Sequence, residues 1–120
     1  MLTTKEMLRL AVTALDDKMA KDIKVLEVKD ITVLAEYFVI CTASNAPQIK
    51  SISDEVSRVL SEQGEPPHRV EGLRAGGWIL VDFGNIVIHI FLDEVRKFYN
   101  LERLWADAPV IDTDSLIIEK

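Results

Sequence analysis

The side chains able to do chemistry in this chain are few, and their spacing suits little chemistry. Two-metal transfer of a phosphoryl or nucleotidyl group needs two or three carboxylates converging on Mg2+, typically alternating along a strand after a glycine-rich turn. The nearest pattern is Gly76-Gly77 before "WILVD", which carries one carboxylate, Asp82, with Leu80 and Gly84 as its i±2 neighbours. Glu27 is alone in its apolar run, and the only Asp-x-Asp, Asp112 and Asp114, lies in a short mixed tail. Cys41, the single cysteine, sits inside "FVICTA", where packing as a small hydrophobe outweighs nucleophilic catalysis. His89 shares a strand face with Asp82, an arrangement that fits an edge or interface histidine better than a base or metal ligand. His68 follows Pro66-Pro67 at a loop or strand start. There is no CxxC, GxGxxG or P-loop. No catalytic residue, metal ligand or cofactor-binding residue is assigned, so function is expected to reside in a surface.

The elements that would carry such a surface can be read from pattern. Thr3-x-x-Glu6 forms a capping box, and Leu8, Ala11, Val12, Leu15 and Met19 recur at helical spacing to about Ala20. Residues 22–28 and 37–42 read as strands, joined by a segment too short for a helical crossover and therefore as antiparallel neighbours. Asn45-x-x-Gln48 opens a second helix with Pro47 in its first turn, and Gly64 stops it. "HRVEG" is a short strand with Arg69 and Glu71 on one face. Gly84-Asn85 then sets a two-residue hairpin turn, which pairs Trp78 with Phe91, Leu80 with His89 and Asp82 with Val87. Asp93 is the expected N-cap of a third helix reaching about Asp107. The order α-β-β-α-β-β-β-α describes an α/β (α+β) domain, a mixed five-stranded sheet with helices mainly on one face. A single domain is expected over 1–109, with 110–120 as a tail that is either disordered or an edge strand.

The hairpin has two unequal faces. Ile79, Val81, Phe83, Ile86, Ile88 and Ile90 are core; Trp78, Leu80, Asp82, Val87, His89 and Phe91 are neither core nor ordinary surface. Trp78 opposite Phe91, with Leu80 between, has the composition of an interface hot spot, and Asp82, Glu71 and Arg69 would form a polar rim. The competing reading is that the third helix roofs this face. That helix carries an unusually broad apolar arc: Val95, Phe98, Leu101, Leu104 and Trp105 span about half its circumference, with Tyr99 just outside. The expectation is a hybrid. Part of Phe98, Leu101 and Leu104 packs inward, while Tyr99 and Trp105 extend an exposed patch begun by Trp78.

Composition narrows the partners. The chain has 120 residues, 14 basic against 20 acidic and a net charge of −6, which disfavours binding nucleic acid through phosphates and suits a basic protein partner. No run approaches the ~18 apolar residues of a membrane span. The lone cysteine and an N-terminus without a signal-peptide profile fit a reducing cytoplasm.

Three stretches carry a family resemblance: "ITVLAEYFVICTASNAPQIKSISDEV" (residues 31–56), "GWILVDFGNIVIHIF" (77–91) and "RKFYNLERLWADAP" (96–109). They resemble the ribosomal silencing factor family, also called RsfS or Iojap-like proteins, over roughly residues 3–109. One departure is Asn85, where the family commonly has Asp; Asn serves the tight turn equally well. The resemblance implies a nucleotidyltransferase-like fold without catalytic carboxylates. It also implies a non-catalytic factor that binds the large ribosomal subunit through its L-fourteen-type protein, blocks small-subunit joining when nutrients are scarce, and in some lineages aids large-subunit assembly. Homodimers are expected when no ribosome is bound. On this reading Trp78, Leu80, Phe91, Tyr99, Leu101 and Trp105 supply apolar contact, Asp82, Glu71 and Glu102 meet basic groups, and Arg69 meets an acid or a carbonyl. The alternatives are a nucleotide-binding or nucleotidyl-transferring enzyme and a non-ribosomal dimeric adaptor.

Overall fold

The computed structural model describes residues 2–72 and 77–117; Gly76, the first of the paired glycines, lies outside them. Helix α1 spans Thr4–Asp17 and starts on the expected capping box, with Glu6 N–H donating to Thr3 Oγ1 (3.1 Å) and Thr3 N–H to Glu6 Oε1 (2.9 Å). It ends before Ala20 because Met19 turns into the left-handed region (φ 62°), which leaves its side chain exposed rather than on the apolar stripe. Helix α2 spans Ala46–Glu62, where Asn45 Oδ1 accepts from Gln48 N–H at 2.8 Å.

The strands are β1 (Lys21–Glu27), β2 (Tyr37–Ala43), β3 (Arg69–Glu71), β4 (Trp78–Asp82), β5 (Ile86–Leu92) and β6 (Val110–Ile111). They form one mixed sheet in the order β3-β4-β5-β2-β1-β6. Among the described residues only β2 and β5 run parallel; β1 and β2 pair antiparallel as expected. The hairpin register is the one that the two-residue turn dictates: Trp78 with Phe91, Leu80 with His89, Asp82 with Val87. Gly84 supplies the positive φ (89°) at the turn's first central position.

Among the described residues the sheet has six strands, not five. Val110 and Ile111 pair with Leu26 and Val25, and Leu116 beyond them is buried in the main core. An apolar pair beside an unpaired edge gains a ladder and a buried leucine, which is enough to order this segment.

Helices α1 and α2 cover one face. Between them and the sheet lie Leu8, Val12, Leu15, Ile49, Ile52, Val56 and the hairpin's Ile79, Val81, Phe83, Ile86, Ile88 and Ile90. The opposite face has its own smaller core of Leu26, Val28, Phe38, Ile40, Val87 and Phe91, against which Trp78, Leu80, Val95, Leu101 and Trp105 pack.

What lies over that second face is a broken helix. Instead of running from Asp93 to Asp107, the chain forms α3 (Asp93–Tyr99), turns at Asn100, and forms one further turn, α4 (Leu101–Leu104). Asn100 adopts φ 47°, ψ 56°, a left-handed conformation that asparagine tolerates better than other side chains do. Leu92, not Asp93, occupies the cap position; Asp93 sits in the first turn and pairs with Lys97 at 2.9 Å.

Candidate functional site

Trp78 is the first residue of β4, and its register partner Phe91 stacks beneath it with ring centroids 4.8 Å apart. Tyr99, from the last turn of α3, approaches the indole to 4.8 Å, so Trp78 lies between a ring of the sheet and a ring of the helix. Phe98 meets Tyr99 edge-on at 5.1 Å, and Val95 comes down one turn earlier onto Gly77. A Cβ at Gly77 would stand 2.8 Å from Val95 Cγ2, so glycine is what lets α3 approach the start of β4.

Together Trp78, Leu80, Val95, Phe98 and Tyr99 line an open groove of about 580 Å³ whose rim carries Glu71 and Glu94. Its floor is partly buried and its far wall stands in solvent: Phe98 is 81% exposed and Tyr99 51%. Such an apolar hollow with an acidic rim can seat a protruding apolar side chain and draw in a basic surface around it.

The apolar residues singled out in the sequence, with Glu71, divide into three groups. Trp78, Leu80, Glu71 and Tyr99 meet in the groove. Phe91 is 1% exposed and supports the groove from below, so it offers no surface to a partner. Leu101 and Trp105 are half-buried on the same side of the sheet but pack farther along it, Trp105 edge-to-face with Phe38 at 5.2 Å.

The charged candidates are engaged within the chain. Arg69 Nε donates to Asp82 Oδ2 at 3.0 Å and its Nη1 to Glu71 Oε1 at 3.1 Å. The other Asp82 oxygen accepts from Gly84 N–H at 2.7 Å and braces the hairpin turn. Glu102 lies away from the groove, taking Arg96 Nε at 2.8 Å and Lys24 Nζ at 3.4 Å. Hydrogen bonding from Arg96 lowers the Glu102 carboxyl pKa below its usual range.

Sequence reasoning placed Phe98 and Leu104 partly inward; both point outward, because the break at Asn100 rotates the two short helices relative to the single stripe assumed. It also missed Glu94 on the rim. The signal was present, since Glu94 and Phe98 are one helical turn apart. A second exposed apolar group, Ile31, Val33 and Leu34, lies in the loop between β1 and β2 and had no periodic signature.

Two titratable groups lie deep in the fold. Cys41 is fully buried, and burial pushes its thiol up to about 12, against a small opposing pull from Arg96, so it stays protonated and unreactive. His89 lies beneath the groove, its Nδ1 accepting from the Trp78 indole N–H at 3.3 Å. Among the described residues no three His, Cys, Asp or Glu side chains converge as a metal site, and no helix is long and apolar enough to cross a membrane.

Comparison with known proteins gives consistent matches. The family model described as "Ribosomal silencing factor during starvation" matches residues 1–120. A protein of Halalkalibacterium halodurans named ribosomal silencing factor RsfS is 39% identical over 97% of this chain and 99% of its own length. Its namesake in Bacillus subtilis is also 39% identical, over 94% of this chain and 96% of that protein. Among solved structures, a Chromobacterium violaceum protein superposes with a TM-score of 0.85 at 34% identity, covering 88% of each chain.

Proposed function

This chain belongs to the ribosomal silencing factor (RsfS) family, and from that premise we propose that it binds the large ribosomal subunit through its L-fourteen-type protein and blocks small-subunit joining. The observation that carries the reading is the groove of Trp78, Leu80, Val95, Phe98 and Tyr99, a solvent-facing aromatic surface backed by a rigid sheet. Aromatic anchors of this kind dominate protein interfaces when the hollow around them is dried by the partner. Glu71 and Glu94 on the rim favour a basic partner, consistent with a ribosomal protein, and the net charge of −6 opposes direct adhesion to rRNA.

The mechanism needs no bond-making. A body of 35 × 31 × 27 Å seated on one subunit occupies space that the other must enter, so silencing follows from occupancy alone. Free in the cytoplasm, the same apolar face would be covered by a second copy of the chain, which the subunit displaces.

Cosedimentation tests the proposal. The protein should pellet with purified large subunits and lower the yield of joined ribosomes when small subunits are added. Binding that leaves joining unaffected, or no binding, overturns it. A Mg2+-dependent rise in melting temperature with nucleotide would favour the enzymatic alternative instead.

A further inference from the structure

His89 is a polar residue where an apolar one would pack more simply. It lies on the second face of β5, is 5% exposed, and is surrounded by Trp78, Phe91 and Phe38 with ring centroids at 5.9, 6.2 and 5.3 Å. Among the described residues, its ring makes one hydrogen bond, to the indole: Trp78 Nε1–H donates to Nδ1 at 3.3 Å. An Nδ1 that accepts must be bare, so the ring is neutral with its proton on Nε2. That Nε2 is itself buried and finds no partner among the described residues. Burying this imidazole among three aromatic rings carries a desolvation cost that a leucine here would not incur. What the imidazole provides in return is a directed acceptor for the indole.

We infer that His89 is a positioning residue for the docking face: its Nδ1 fixes the orientation of the Trp78 indole, holding the anchor ready before a partner arrives. The inference rests on the reading of the groove as the docking surface. Stacking on Phe91 and contact with Tyr99 set the plane of the indole, but a flip about its Cβ–Cγ bond would keep that plane and exchange its edges; the hydrogen bond favours the orientation that turns Nε1 to His89. Asp82 on β4 is the one charged group acting appreciably on the imidazole; Phe38 on β2, Trp78 on β4 and Phe91 on β5 are uncharged. Ordering the anchor in the free protein removes part of the entropy cost of binding.

The test uses the full chain, labelled with 15N, and purified large subunits. Asparagine places an acceptor near the position of Nδ1, whereas leucine fills the space without one. His89→Leu should shift the Trp78 indole N–H resonance upfield, speed its exchange with solvent, and weaken subunit binding up to about tenfold, the cost of ordering a freed indole on binding. His89→Asn should keep the resonance and bind within about threefold of the parent. In the Trp78→Phe background, which has no indole donor, His89→Leu should cost nothing further. An unchanged indole resonance and unchanged affinity in His89→Leu overturn the inference while leaving the docking face intact if Trp78→Ala still abolishes binding. Full binding by Trp78→Ala overturns the docking face itself. Should His89→Leu fail to fold, a folded His89→Asn that has lost the hydrogen-bonded indole signal yet binds as tightly as the parent also sinks the inference.

Discussion

Trp78 divides its surface between the chain, where it stacks on Phe91, and the solvent-filled groove. Trp78→Ala should lower large-subunit affinity by roughly 2 kcal/mol or more if the indole is the interface anchor. Phe91→Ala, which empties a fully buried site, should cost roughly 3–5 kcal/mol of folding stability. Urea denaturation of both variants beside cosedimentation distinguishes the two: the first should lose binding with a small shift of midpoint, the second should lose midpoint. Acid supplies another residue-scale prediction. Burial brings His89 from 6.5 down to about 4, with a weaker opposing pull from Asp82. Between those values the unfolded chain takes up a proton that the folded chain refuses. This contribution to stability is complete above about pH 6.5 and falls as pH drops toward about 4, by up to roughly 3 kcal/mol. Glu102, with its lowered carboxyl pKa, adds a further loss in more acid solution. Urea midpoints measured across this range should fall steeply for the parent and less steeply for His89→Asn.

At the scale of elements, the groove depends on how α3 and α4 are held over the sheet. Arg96 ties α3 to the strands: its Nη1 donates to Thr42 Oγ1 at 2.7 Å and to the Asp22 carbonyl at 2.8 Å, while its Nε holds Glu102. Its side chain is only 11% exposed. Arg96→Met should leave Thr42 Oγ1 and the Asp22 carbonyl without this donor and Glu102 with Lys24 alone, and cost roughly 2–4 kcal/mol by chemical denaturation. Asn100 permits the break between the helices. Asn100→Gly should be nearly neutral and Asn100→Ala should cost about 1 kcal/mol, because alanine keeps the Cβ penalised at positive φ but lacks the short polar side chain by which asparagine offsets it. These two elements also mark where pattern reading stopped. The hairpin register was legible because side chains alternate strictly along a strand and a two-residue turn allows one pairing. The helix break was not, since asparagine is compatible with a helix interior as well as with a left-handed turn. Assuming one continuous stripe put Phe98 on the wrong side. Arg69, Glu71 and Asp82 were legible as neighbours on one rim, but not that Arg69 pairs with Asp82 inside the chain: the two lie thirteen residues apart, and the β3–β4 register brings them to 3.0 Å.

Across the whole molecule, the chain's last described stretch closes what the first helix begins. Leu116 is 2% exposed and shares the core with Leu8, Val12 and Leu15 of α1. Leu116→Ala should cost roughly 2–4 kcal/mol, and removing residues 110–120 should cost more, since the β6 ladder goes too. Thermal melts of both variants check this. The two rims of the sheet have a further consequence. β3 is three residues long, with Arg69 and Glu71 on it, and β6 is two. Neither offers a template long enough for a neighbouring molecule to zip onto through its backbone, so the sheet resists growing into fibrils. A partner is therefore not expected to join this molecule as an added strand, which leaves adhesion to its side chains and loops.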